Sequence, residues 1–246
     1  MITKSDIKYI QSLAHKKFRE EEGVFVIEGV KMVGELIKEY PDQIVHLYGT
    51  QQWVDEVKKE KLLGSKISVI DDITLGKISQ LKSPNQVVAV VKIPKQLSEG
   101  NSMSRTTIVL DQIQDPGNLG TIIRTCDWFG IQNIVCSLDT VDAFNPKTVQ
   151  SAKGSLLRMN IQYTDLITYL SSKQEMPIYA AILNGTSIHE IEVQESSIVI
   201  IGNEASGISK EVMVLANQTI SIPKIGKAES LNAAIATAII LSHFTK

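Results

Sequence analysis

Short apolar runs separated by helix-patterned stretches set the rhythm of this chain. In the first 93 residues VFVIEG, IVHLYG, KISVI and VVAVVKI read as short, mostly buried strands. Between the first two, VKMVGELIKEY places Val30, Val33 and Ile37 at helical spacing, with Met32 and Leu36 beside them. The periodicity stops at PKQLSEGNSMSRT, residues 94–106, which is polar and rich in Pro, Gly, Ser and Asn; it reads as a linker. A second alternation begins at residue 107. TIVLD, NIVCS, IQYTD, PIYAAIL, SIVIIG and TISIP read as strands, with helices between most of them. NLGTIIRTCDWFG is a helix with Asn118 near its start and Gly130 at its end. NPKTVQSAKG opens another, with Asn145 placed to cap and Pro146 at the first helical position. Strand–helix alternation of this kind predicts an α/β fold with a mainly parallel sheet covered on both faces. The expected layout is a smaller α/β domain over 1–93, the linker, and a larger α/β domain over 107–246.

Composition narrows the class. The chain has 246 residues, 43% hydrophobic and 21% charged, enough apolar material for packed cores. Its longest apolar run, AAIATAIIL, is far short of the ~20 residues of a membrane span. The opening MITKSDIKYIQ lacks the apolar core of a signal peptide, so a cytoplasmic location is expected. Cys126 and Cys136 each sit in apolar sequence and read as buried thiols. His15, His46, His189 and His243 are scattered, with no metal-ligand spacing. Net charge is only −2, and neither half is strongly charged, so any contact with a polyanion is local. The best candidate is the N-terminal stretch, where Lys16, Lys17 and Arg19 offer a basic face; the plainer alternative is a solvated helix face.

Familiar catalytic signatures are missing. There is no G-x-G-x-x-G, no G-x-S-x-G and no histidine in a triad context. Gly226-Lys227 is not a P-loop, because Ala228 stands where Ser or Thr is needed. Three polar clusters remain, each following a strand. In DQIQDPGNLGTIIRT (111–125), Leu119, Ile122, Ile123 and Cys126 face the core while Gly120, Thr121 and Arg124 fall on another face. Small neighbours leave the Arg124 guanidinium open to grip a phosphate; the alternative is a surface pair with Asp127 or Asp115. In IVIIGNEASGIS (198–209), an apolar strand runs into Gly202, Asn203 and Glu204, where ligands of α/β sheets bind. In IPKIGKAESLN (222–232), Ser230 or Asn232 can cap the next helix, yet capping alone leaves most of the polar loop unexplained.

Together and in this order, NLGTIIRT, IGNEASGIS and IPKIGKAESLN resemble the SpoU (TrmH-type) family of RNA ribose 2′-O-methyltransferases, within the knotted SPOUT class. KKFREEEGVFVIEGVKMVGELI (16–37) and LKSPNQVVAVV (81–91) resemble the substrate-binding domain often fused to it, which looks like a ribosomal-protein RNA-binding fold. The resemblance implies a deep trefoil knot, a homodimer, and bound S-adenosylmethionine. It places Arg124 and Asn118 at the reacting hydroxyl, with Ser230 and Asn232 beside them. Gly202, Ile222 and Leu231 match backbone contacts to the cofactor, with Asn203 and Glu204 organising the same turn. Lys224 departs from the Met usual after the Ile-Pro pair; main-chain contacts survive such a change. Arginine is a poor general base because its pKa exceeds ~12, so stabilisation of developing charge is the better role for Arg124. The expected activity is 2′-O-methylation of RNA, with ribosomal RNA favoured over transfer RNA. The alternative in a different class is a noncatalytic RNA-binding protein that kept the fold.

Overall fold

The computed structural model describes residues 2–57, 66–94, 106–194 and 196–245. Residues 95–105 of the expected linker lie outside the described residues. In chain order the first elements are α1 (Lys4–Ser12), α2 (Lys16–Glu22), β1 (Val24–Glu28), α3 (Val30–Glu39), β2 (Ile44–Gly49), α4 (Gln51–Val57), β3 (Ile67–Val69), α5 (Asp72–Ile78) and β4 (Val87–Lys92). Then follow β5 (Thr106–Leu110), α6 (Pro116–Trp128), β6 (Asn133–Cys136), α7 (Pro146–Ala152), β7 (Asn160–Tyr163) and α8 (Leu166–Ser171). The last are β8 (Ile178–Ser187), β9 (Ser197–Ile201), α9 (Lys210–Met213), β10 (Gln218–Ser221) and α10 (Ala233–Phe244). The chain forms two compact units: 1–95 with 144–154, and 96–143 with 155–246.

The first unit holds a four-stranded sheet in the order β1-β4-β2-β3. It is mixed: β4 runs antiparallel to β1 and β2, while β3 runs parallel to β2. Every residue of β1 is buried, and Val24 and Val26 pack with Val88 and Val90 of β4. Ile10 and Leu13 of the N-terminal segment and Ile78 of α5 complete that core. Local chemistry starts the helices. Thr3 and Asp6 form a reciprocal capping box on α1, and Asp71 caps α5. Residues 144–154 join this unit although they follow β6 in sequence. Phe144 packs its ring 4.8 Å from that of Phe25, and α7 lies against β1.

The second unit is the α/β body the strand pattern predicts. Its six strands are all parallel, in the order β10-β8-β9-β5-β6-β7. The central strands β5 and β9 are buried throughout, as an apolar run between two covered faces requires. α6 starts two residues before Asn118. Asp115 is its cap, accepting from the Asn118 N–H at 2.8 Å, and Pro116 fills the first position. β8 is longer than the apolar run suggested. Its pairing with β10 jumps from Ala180 to Thr186, and a Cβ on Gly185 would stand 2.7 Å from the Ile220 backbone. α10 packs along α6 and ends with Phe244 edge-on to Tyr179. No helix among the described residues is long and apolar enough to cross a membrane.

The far end of α6 is held by an ion pair. Arg158 clamps Asp127 with Nε and Nη2, the shortest contact being 2.8 Å. Burial raises the Asp127 carboxyl, but hydrogen bonds from Arg158 and Ser155 and the Arg158 charge outweigh it, so the net pKa is lowered. A carboxyl lowered on folding stabilises above its unfolded value and loses that contribution as pH falls through the folded one. Arg158→Met should therefore cost about 1–3 kcal/mol at pH 7. The difference from the unaltered protein should shrink steadily below about pH 4, as read by urea unfolding across pH.

Candidate active site

The site forms where β5 and β9 end side by side. Their ladder runs from Thr106↔Ser197 to Leu110↔Ile201 and is extended by the Asp111 N–H donating to the Ile201 carbonyl at 2.9 Å. The chain leaves β5 toward β6 on one side and leaves β9 toward β10 on the other, so this is the crevice at which open α/β sheets bind ligands. Three turns meet there: the one leading into α6, the one after β9, and the one after β10.

The turn after β9 is tightly made. Asn203 and Gly207 exchange backbone hydrogen bonds at 3.0 and 2.9 Å. The Asn203 side-chain oxygen accepts from the N–H groups of Ala205 and Ser206. Gly207 has φ +70°, and a Cβ on Gly202 would strike the backbone of Gly207 and Ile208. Both glycines are therefore steric requirements of the turn.

Asn118 ties the three turns together. Its Nδ2 donates to Glu204 Oε1 at 2.5 Å, and its Oδ1 accepts from Asn232 Nδ2 at 2.8 Å. Asn232 also caps α10, its Oδ1 accepting from the Ala234 and Ile235 N–H groups. One residue from each sequence cluster thus enters a single hydrogen-bonded row. Glu204 and Asn232 stand out in the sequence as candidates, but not as partners of Asn118, because the contacts span 86 and 114 residues.

Arg124 stands two turns further along α6, exposed. The two acids within reach in sequence are committed elsewhere, Asp127 to Arg158 and Asp115 to the helix cap. Among the described residues Arg124 has no ion-pair or hydrogen-bond partner. The surface-pair alternative for this residue is thereby removed. Ser230 and Leu231 are exposed and Ile222 is half-buried, at the two ends of a loop whose residues 223–231 are all exposed. Ser230 does not cap α10; Asn232 does. Lys224 points to solvent, and Ile225 beside it is fully exposed.

The N-terminal basic residues divide. Lys16 and Lys17 are exposed, each loosely paired one turn on with Glu20 or Glu21, at 3.7 and 3.8 Å. Arg19 is a correction to the basic face. It is 2% exposed, and its Nη1 donates to the Leu13 carbonyl at 2.8 Å, so its charge serves the fold interior. A small cavity of ≈ 140 Å³ opens at the other end of the second sheet, beside Thr107, Asn133 and Asn160. It is remote from the three turns. Among the described residues no cluster of His, Cys, Asp and Glu is arranged to hold a metal.

Sequence comparison agrees with this architecture. The profile of the SpoU rRNA Methylase family matches residues 105–242. The chain belongs to the SpoU rRNA methylase family. An MRM3-like substrate binding domain matches residues 4–89. The 23S rRNA (guanosine(2553)-2′-O)-methyltransferase RlmP of Bacillus subtilis is 31% identical over 96% of this chain and 94% of its own. The 23S rRNA (guanosine-2′-O-)-methyltransferase RlmB of Shewanella oneidensis is 25% identical over 88% and 94%. Among solved structures, a TrmH-family protein from Porphyromonas gingivalis superposes with a TM-score of 0.87 at 33% identity, covering 99% of this chain and 98% of that one. An AdoMet-bound rRNA methyltransferase from Sinorhizobium meliloti gives 0.83 at 28% identity, covering 99% and 95%. Within this SpoU fold, residues expected from the motifs occupy neighbouring turns of one crevice. Asp115 and Asp111 were not singled out as site residues; the signal for both was an acid at a strand-to-helix junction.

The row through Asn118 is testable by coupling. Asn118→Ala and Asn232→Ala should be non-additive in urea unfolding, with a coupling of about 0.5–2 kcal/mol. Additive losses would show that the 2.8 Å contact carries no energy.

Proposed function

We propose that the protein transfers a methyl group from S-adenosylmethionine to a ribose 2′-hydroxyl of ribosomal RNA. The observation that carries this is Arg124: an exposed guanidinium, without a partner among the described residues, on the helix whose first turn is tied to both other motif turns. Family membership and full-length similarity to 23S rRNA 2′-O-methyltransferases support the substrate. The substrate-binding domain match supports an enzyme that holds a large RNA with its first unit.

The residues present fit the cofactor. Gly202 lets the turn after β9 close tightly on Gly207 and Ile208, and the exposed residues 223–231 leave the neighbouring loop open to a ligand. Gly202, Asn203, Glu204, Ile222 and Leu231 would hold it. When bound, the cofactor supplies an electrophilic methyl on a sulfonium sulfur. The chain's own task is to place the hydroxyl in line with that methyl, and most of the rate comes from this positioning. The hydroxyl would give up its proton to phosphate or solvent as it accepts the methyl group. Arg124 stabilises the charge that grows on the oxygen, directly or through the neighbouring phosphate. Asn118, held between Glu204 and Asn232, and the exposed Ser230 shape the acceptor side.

In this reading the exposed Lys16 and Lys17 meet RNA phosphate. Their pairs with Glu20 and Glu21 are exposed, and such pairs are worth little, so a polyanion displaces them readily. A homodimer is part of the same reading. Leu231 and Ile235 leave an apolar edge exposed at the start of α10, as a subunit contact would use.

Arg124→Ala should lower methyl transfer to ribosomal RNA by about 10²–10³-fold or more. Calorimetric affinity for S-adenosylmethionine should stay within about twofold. Methyl incorporation followed by mapping of 2′-O-methyl marks measures the first. Near-normal turnover by the variant would sink the assignment of Arg124. Absence of cofactor binding by the unaltered protein would favour a noncatalytic RNA-binding role.

A further inference from the structure

The turn after β9 is fastened at both ends to the two residues that follow β5. At one end, Asn203 Nδ2 donates to the Gln112 carbonyl at 2.8 Å. At the other, the Ser209 N–H donates to Asp111 Oδ2 at 2.7 Å. Asp111 is a carboxylate only 2% exposed, and its own N–H continues the β5–β9 ladder. A buried carboxylate is expensive unless it is hydrogen-bonded, so its placement needs a reason. Gln112 is stranger still. Its φ is +58°, a left-handed conformation in a residue that is not glycine. That conformation is stabilised by the Gln112 N–H donating to Ser137 Oγ at 2.9 Å. It lets the Gln112 carbonyl meet Asn203 while the next residues turn away toward α6. Strain of this sort persists only where the surroundings over-determine it.

The same two residues begin the segment that carries Asn118 and Arg124. They therefore join the turn proposed to hold the cofactor to the helix that presents Arg124. We propose that Asp111 and the Gln112 main chain are positioning residues: they fix the 202–209 turn, and so the methyl donor, relative to Arg124. This rests on the methyltransferase reading above. Neither residue touches substrate; each acts through hydrogen bonds to the turn.

Three variants test it. Asp111→Ala removes the acceptor for Ser209. Gln112→Ile disfavours the positive φ and swings the carbonyl away from Asn203. Ser209→Pro removes the donor; the Ser209 φ of −61° already suits proline. Each should raise the Kd and KM for S-adenosylmethionine at least tenfold, while affinity for ribosomal RNA by filter binding stays within twofold. Asp111→Asn keeps an acceptor oxygen and should recover most of the loss. Combining Asp111→Ala with Ser209→Pro should be no worse than either alone. Unchanged cofactor affinity with a lowered Tm would overturn the proposal, and so would a parallel fall in RNA affinity. If Asp111→Ala does not fold, Gln112→Ile and Ser209→Pro decide. Should the unaltered protein bind no S-adenosylmethionine, the methyltransferase reading fails instead. Anchoring is then judged by amide exchange over 203–209, which Gln112→Ile must accelerate.

Discussion

Everything in the candidate site depends on β5 and β9 lying next to each other in a parallel ladder. The two strands are 91 residues apart at Thr106 and Ser197, yet each residue of one is matched by a residue of the other through Leu110 and Ile201. Parallel pairing brings both carboxyl ends to the same edge. The turns that follow them must then emerge side by side. Had the strands paired antiparallel, Asn118 and Glu204 would lie at opposite ends of the sheet. The ladder is held by burial on both faces, which is why both strands, after a buried Thr106 and Ser197, are runs of apolar and β-branched residues.

On that frame polar chemistry is used sparingly, and the two asparagines of the crevice have definite partners. Asn118 is small enough to sit in the first turn of α6 and carries both a donor and an acceptor. It therefore bridges an acid and an amide at once. Asn232 does the same at α10, closing the helix and reaching across to Asn118. Among the described residues, Arg124 is left as an exposed cation of α6 without a counter-ion. A guanidinium so placed is a standing invitation to phosphate, or to an oxygen on which negative charge is growing. SpoU family membership gives that invitation its chemical context.

The first unit follows a different logic. Its sheet is mixed, and one strand-end carboxylate, Glu28, is buried where it accepts from the Ser79 hydroxyl and the Gln80 N–H. Burial raises its pKa despite those hydrogen bonds. Arg19 shows the same economy: a residue whose type advertises a phosphate contact is spent on the Leu13 carbonyl. Charge type in a helix therefore did not say which side chains reach solvent. The period of α2 sets one face inward, and Arg19 falls on it while Lys16 and Lys17 do not.

Much of the fold was legible because it is written in local, periodic terms. Apolar runs marked most of the strands, and Asn145 with Pro146 marked the start of α7. The strand–helix alternation implied the parallel sheet of the second unit. Such signals depend only on neighbours a few residues away. The three motif clusters were also visible as polar turns after strands, with Arg124 on the open face of its helix. What the linear chain could not state is who meets whom. That Asn118 bonds Glu204 and Asn232, that Asp115 and Asp127 are unavailable to Arg124, that residues 144–154 pack against β1, and that Gln112 adopts a left-handed backbone all follow from contacts between distant segments. Those contacts exist only once the strands are in register. The sequence by itself determined the elements and the chemistry each turn carries; the tertiary structure decided which of those chemistries share a crevice.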